Sequence, residues 1–208
     1  MLSNEVLRRL YDLTIDNLNV HCYADAIFFA DKLVSLSSEH IGAVYLLGEC
    51  YFRNGDYKKV HTLFQSYKLL NRNISFQLLA ARALLSNKQY DQCLAVLELQ
   101  LEHSYVNRKM DGLKASIAAQ CHEAQENKNR AVELYTEAVM KDPTNVEGFS
   151  RLVDCQLITT VQKEQLIQGL TFNSEDQWLR KIFSAKIKTV EDVQTQPPEE
   201  EVRRDNIF

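Results

Sequence analysis

The chain has 208 residues, 45% hydrophobic and 25% charged, the make-up of one or two soluble globular domains. A net charge of −4 and a pI near 5.8, with lysines alternating with acids rather than forming a basic stripe, exclude a nucleic-acid surface. No apolar run approaches the roughly 20 residues that span a bilayer, and the first five residues lack the basic start and apolar core of a signal peptide, so the chain reads as intracellular and soluble.

In chain order, Asn4 is placed to cap a helix reaching about Asn19, in which Leu7, Leu10, Tyr11 and Leu18 share one face with Ile15 beside it. A partner helix follows Tyr23 with Ala26, Ile27, Ala30 and Leu33 at helical spacing, while Phe28 and Phe29 widen its apolar surface. The next stretch, Val44 to Phe64, orders the rest. Leu47, Gly48, Tyr51 and Phe64 fill four slots of the W-x2-L-G-x2-Y…A-x3-F pattern of the tetratricopeptide repeat, with Val44 at the tryptophan slot and Val60 at the alanine slot. Asn54-Gly55-Asp56-Tyr57 is then the turn between two helices, Gly55 supplying a positive φ and Asp56 a cap.

Such a unit cannot bury its apolar face alone, and the frame recurs on both sides. Tyr23 and Ala26 occupy the slots of Tyr57 and Val60 in the repeat before; Tyr90, Cys93 and Leu97 continue the frame in the repeat after, preceded by Ala80, Ala81 and Leu84. A fourth copy has Ala115, Ala118 and Ala119 in its first helix and Ala131, Tyr135, Ala138 and Pro143 in its second. Beyond it, Asn145 caps a helix with Phe149, Leu152 and Val153, and Thr160 starts a short partner through Leu170. Ser174-Glu175-Asp176-Gln177 reads as a capping box opening a helix with Trp178, Leu179, Ile182, Phe183 and Ile187 that covers the end of the stack. The fold class is all-α: a right-handed solenoid of antiparallel helix pairs over residues 1–190, with few glycines or prolines to interrupt it. Its repeats fall at about 7–40, 41–73, 74–111 and 112–145, followed by a degenerate one at 146–170 and a closing helix at 174–188. Residues 191–208, with Pro197-Pro198 and Glu199-Glu200-Glu201, read as a flexible acidic tail or linker.

Motifs that carry chemistry are missing: no Gly-rich phosphate loop, no G-x-S-x-G and no H-E-x-x-H. The cysteines at 22, 50, 93, 121 and 155 form no C-x2-C pair. Cys50, Cys121 and Cys155 share one slot of the first helix and Cys93 takes a small-residue slot, so they read as packing thiols. No catalytic residue, cofactor or metal is expected. The informative surface is the concave groove lined by first helices. Its slots carry Tyr11, Ile15 and Leu18, then Tyr45, Glu49 and Phe52, then Leu78, Arg82 and Leu85, and turn polar at Ser116, Gln120 and Glu123. Two readings stand for the apolar slots: packing of the inner wall of a tight superhelix, or a surface covered by a partner helix. In the second reading Glu49 and Arg82 form a polar pair that fixes register.

The runs His21–Ser37 (HCYADAIFFADKLVSLS), Val44–Tyr51 (VYLLGECY) and Leu78–Arg82 (LLAAR) resemble the N-terminal half of the cell-division-cycle-sixteen subunit family of the anaphase-promoting complex, or cyclosome. The likeness runs from about Val6 to Lys188 and includes Gln162-Lys163-Glu164-Gln165-Leu166. Departures are a shorter segment between Leu101 and Lys114 and the absence of the family's C-terminal repeats. The resemblance implies a non-catalytic scaffold of a multisubunit ubiquitin ligase of mitosis, in the nucleus and cytoplasm, whose partners are a second copy of itself and other subunits of that complex. The family's groove for a small partner subunit lies in its C-terminal repeats, so no residue here inherits that role. Expected contacts of a homodimer built by the N-terminal repeats are Tyr11, Ile15, Leu18, Phe28, Tyr45, Glu49, Phe52, Leu78, Arg82 and Leu85. Two other classes stay open: a peptide-binding adaptor such as a co-chaperone, which would line its groove with Lys, Asn and Arg, and the repeat domain of an enzyme whose catalytic domain lies elsewhere.

Overall fold

The structure, a computed structural model, describes residues 4–37, 40–102, 107–155 and 157–195. Eleven α-helices fill most of these residues: α1 Asn4–Asn19, α2 Tyr23–Leu36, α3 Ile41–Asn54, α4 Tyr57–Ser66, α5 Ile74–Ser86, α6 Tyr90–Glu98, α7 Arg108–Ala124, α8 Lys128–Lys141, α9 Val146–Asp154, α10 Thr160–Gly169 and α11 Gln177–Thr195. Among the described residues there is no strand, and no helix is long and apolar enough to cross a membrane. The helices pack as pairs, α1 on α2 through α7 on α8, and each pair packs on the next. First helices α3, α5 and α7 also touch one another, which makes them the inner wall of a tetratricopeptide-type stack.

One backbone device repeats at the end of the first helix of each of the four repeats. His21, Gly55, Lys88 and Glu126 all have positive φ, between 60° and 84°. In the first repeat His21 N–H reaches the Leu18 carbonyl at 3.2 Å and Cys22 N–H the Asn17 carbonyl at 2.9 Å. The same two bonds recur at Gly55 and Asp56, at Lys88 and Gln89, and at Glu126 and Asn127. This left-handed closure satisfies carbonyls that a helix end would otherwise orphan, and it turns the chain into the second helix. Only the second repeat places glycine there.

Side-chain caps follow asparagine. Asn73, Asn107, Asn127 and Asn145 each accept from backbone N–H groups of α5, α7, α8 and α9. Asp56 does not cap α4, because its carboxylate is held by Lys59 at 3.0 Å and Asn54 at 3.1 Å. Asn4 lies inside α1 as its first residue. The capping box expected at Ser174 is a 3₁₀ turn, Ser174–Asp176, and the true box is Thr159 with Gln162 at the start of α10.

Three apolar clusters fill the stack. The first joins α1, α2 and α3 through Leu18, Ala26, Ala30, Leu33, Leu47 and Cys50. The second centres on α5, where Phe64 and Phe76 meet edge to face at 4.8 Å. In the third, Phe149 of α9 and Phe183 of α11 stack at 3.8 Å, with Phe172 at 6.0 Å from Phe183.

The degenerate end differs from the simple pair expected. α9 packs on α8 and α11, and α10 packs on α11, so α11 supplies much of the cover for α9. It runs on to Thr195, so the start of the expected tail at 191 lies within a helix; residues 196–208 lie outside the described residues. Cys50, Cys93 and Cys121 are buried as packing thiols, but Cys22 and Cys155 are exposed. Cys155 misses its slot because α9 spans only nine residues and ends before it.

Candidate functional site

The inner wall is apolar at one end and polar at the other. On α1, Tyr11 is half exposed, Ile15 is partly buried and Leu18 is sealed in the first cluster. On α3, the Tyr45 ring lies parallel to Phe64 at 6.4 Å and edge-on to Phe76 at 5.3 Å. Burial, followed by the charge of Glu49, pushes the Tyr45 hydroxyl above the ordinary tyrosine range. Phe52 is tilted against Tyr57 at 5.5 Å, and the Arg82 guanidinium lies 5.1 Å over its face. Leu85 is half-buried against the core.

Sequence expectations shift at several of these positions. Leu18 and Leu78, 4% and 5% exposed, belong to the chain's own core, because the first helix turns those slots toward its partner rather than into the groove. Ser116, read as polar lining, is also buried. Within the chain Arg53, one turn along α3, holds Glu49 at 2.8 Å, and the Arg82 guanidinium lies over Phe52. Phe28 lies on the side of α2 opposite Ala26, Ala30 and Leu33, 56% exposed with the Lys32 ammonium 5.5 Å over its ring. It therefore faces away from the side of α2 that packs into the first cluster.

The polar end is a ladder of contacts between helices. Gln120 of α7 donates to Glu147 of α9 at 3.1 Å. The Tyr135 hydroxyl of α8 donates to Glu123 of α7 at 2.6 Å, and Arg151 of α9 stands 3.5 Å from the other Glu123 oxygen. Lys186 of α11 donates to Ser150 at 2.8 Å and pairs with Asp154 at 2.7 Å. Burial and the Glu123 carboxylate both hold the Tyr135 hydroxyl protonated far above its usual range. Gln120 and Glu123 were legible as polar slots, but their partners come from helices up to 28 residues away. Sequence reasoning also missed Gln77, fully buried on α5, whose amide donates to the carbonyls of Val96 at 2.8 Å and Leu99 at 2.9 Å. It closes the end of α6 from a neighbouring helix.

Among the described residues no group of three or more His, Cys, Asp or Glu side chains could hold a metal ion. The buried Cys50 thiol is pushed up to about 12, chiefly by desolvation, which is the opposite of an activated nucleophile.

A family model described as anaphase-promoting complex, cyclosome, subunit 3 matches residues 19–99. Anaphase-promoting complex subunit 6 of Arabidopsis thaliana is 26% identical over 90% of this chain and 38% of its own length. The cell division cycle protein 16 homolog of Homo sapiens is 26% identical over 88% of this chain and 34% of its own. Over about nine-tenths of its length this chain is similar to repeat subunits named for the anaphase-promoting complex and the cell division cycle. It spans about a third of the length of these curated relatives. Among solved structures, Cut9 in the "APC/C hetero-tetramer Cut9-Hcn1" superposes with a TM-score of 0.77 at 24% identity, over 90% of this chain and 39% of that one. The MamA double mutant from RS-1 matches at 0.64 and 18% identity over 94% of this chain and 99% of that one. Both likenesses show the solenoid fold alone.

Proposed function

We propose that this chain is a non-catalytic scaffold region of an anaphase-promoting-complex type ubiquitin ligase, acting in nucleus and cytoplasm, and that its N-terminal repeats form a homodimer by mutual insertion. The relatives named for that complex support the assignment to it. The observation that carries the dimer is Tyr11, a half-exposed aromatic on α1, together with Ile15, Tyr45 and Phe52, which are apolar and only partly covered. A two-fold exchange of first helices makes the same patch both ligand and receptor. The contact set is then Tyr11, Ile15, Tyr45, Phe52, Arg82 and Leu85, with Leu18 and Leu78 supporting it from the core and Phe28 outside it.

Light scattering at roughly 50 μM, far above the Kd of a constitutive dimer, should give twice the chain mass. Tyr11→Glu should give a helical monomer, since aromatic anchors at interface centres commonly contribute about 2 kcal/mol or more. Phe28→Glu, on the opposite face, should leave the dimer intact. A wild-type chain at monomer mass refutes the dimer and leaves the groove as the packed wall of a tight superhelix.

A further inference from the structure

Cys93 of α6 and Cys121 of α7 are fully buried in the second cluster, where α6 packs on α7. The Cys93 thiol has two acceptors within hydrogen-bond reach, the Cys121 sulfur and, at 3.2 Å, the Ala81 carbonyl. The repeat frame brings the pair together, one slot on a second helix and one on the first helix that follows. At the two earlier junctions the same slots hold Ala26 with Cys50 and Val60 with Ala83. Of these three junctions, only that between the third and fourth repeats carries sulfur in both slots.

The bond between the thiols makes them unequal. It holds Cys121 below the ordinary cysteine range and, with burial added, raises Cys93 above it. Cys121 is therefore the thiol that ionises first and attacks, and Cys93 the one that resolves. Full burial shuts out bulky, charged disulfides. It leaves a route for a small neutral oxidant, because Cys93 lies in the first turn of a nine-residue helix whose N-cap, Gln89, makes no side-chain bond, and helix ends of that kind open locally.

We propose that Cys93 and Cys121 are a redox pair that hydrogen peroxide closes into a disulfide, stapling the third repeat to the fourth until a dithiol reduces it. In the first step the Cys121 sulfur attacks one peroxide oxygen: the S–O bond forms, the O–O bond breaks, and the other oxygen leaves as water with the Cys121 proton. The Cys93 sulfur then attacks the sulfur of this sulfenic acid: the S–S bond forms, the S–O bond breaks, and a second water leaves with the Cys93 proton. The two sulfurs together give up two electrons, which the peroxide takes.

The test uses the full 208-residue chain with Cys22→Ser and Cys155→Ser, so that the exposed thiols are gone and Cys50, Cys93 and Cys121 remain. Reduced protein is treated with hydrogen peroxide, quenched with catalase, unfolded in urea with iodoacetamide, and digested for mass spectrometry. Cys50 alone should be alkylated, with the peptides of Cys93 and Cys121 joined until a reductant separates them. Cys50 is the internal control, equally buried but with alanine in the facing slot. The bridged chain should melt about 5 °C above the reduced one, since the closed loop restrains the unfolded state. Cys93→Ala and Cys121→Ala should each abolish the bridge while circular dichroism stays helical. Five results overturn the proposal: three alkylated cysteines after peroxide, a bridge that includes Cys50, a bridge that forms only in chain already unfolded by urea, closure as fast with glutathione disulfide as with peroxide, or a bridged chain that melts below the reduced one.

Discussion

Gly48 has no room for a side chain. A Cβ there would stand 2.4 Å from the tip of the Phe64 ring, which is fully buried and held edge-on against Phe76. Alanine ordinarily favours a helix interior over glycine by about 1 kcal/mol, but here the ring cannot give way without unpacking α5. Gly48→Ala should therefore destabilise by about 1–3 kcal/mol, read from the midpoint of urea unfolding. The opposite substitution suits Lys88, whose φ of 60° is open to glycine at no steric cost. Lys88→Gly should raise stability by up to about 1 kcal/mol, since the left-handed conformation costs an L-residue roughly 1–2 kcal/mol and glycine's extra unfolded-state entropy offsets part of that gain. A lowered thermal midpoint would mean that the Lys88 side chain contributes more than its backbone costs.

Among elements, α11 most clearly shows that position in the chain does not settle role. Its inner stripe completes the core around Phe149, and Lys186 ties it to α9 through Ser150 and Asp154. Phe183→Ala removes a fully buried ring stacked at 3.8 Å and should cost about 3–5 kcal/mol. Because α9 and α10 both lean on α11, loss should appear as early exchange of amide hydrogens in α9–α11 while α3–α6 stay protected. Uniform loss of protection would show that the stack unfolds as one unit.

Across the whole molecule, buried neutral hydroxyls and thiols set an alkaline limit. The folded state raises Tyr135, Tyr45 and Tyr51 above 10.0 and Cys50 from 9.0 to about 12, with burial first among the causes in each. For a group raised on folding, the stabilisation is complete below its unfolded pKa and is lost as pH rises beyond it. Stability should thus be insensitive to these groups below about pH 9 and fall progressively above it, as the unfolded chain ionises thiols and phenols that the folded chain keeps neutral. Tyr135→Phe should flatten part of that fall. A urea midpoint unchanged between pH 8 and pH 11 would contradict it.

The sequence by itself determined the repeat. The order of helix pairs follows from apolar spacing and the Leu47-Gly48-Tyr51-Phe64 signature, and the start of α9 from the Asn145 cap, all of which act within a few turns along the chain. It also determined which slots of the inner wall are apolar and which are polar. Tertiary structure decided which of those slots face the groove: Leu18 and Leu78 turn inward, because a small rotation of a first helix against its partner moves a slot from wall to core. It decided pairing as well. Glu49 lies nearer to Arg53 than to Arg82, and Glu123 finds Tyr135 and Arg151, because partner choice depends on distances between helices that no periodicity encodes. On α11, Trp178 and Ile182 are as apolar in the sequence as Leu179, Phe183 and Ile187, and the packing of α9 and α10 decided that only the latter three are buried.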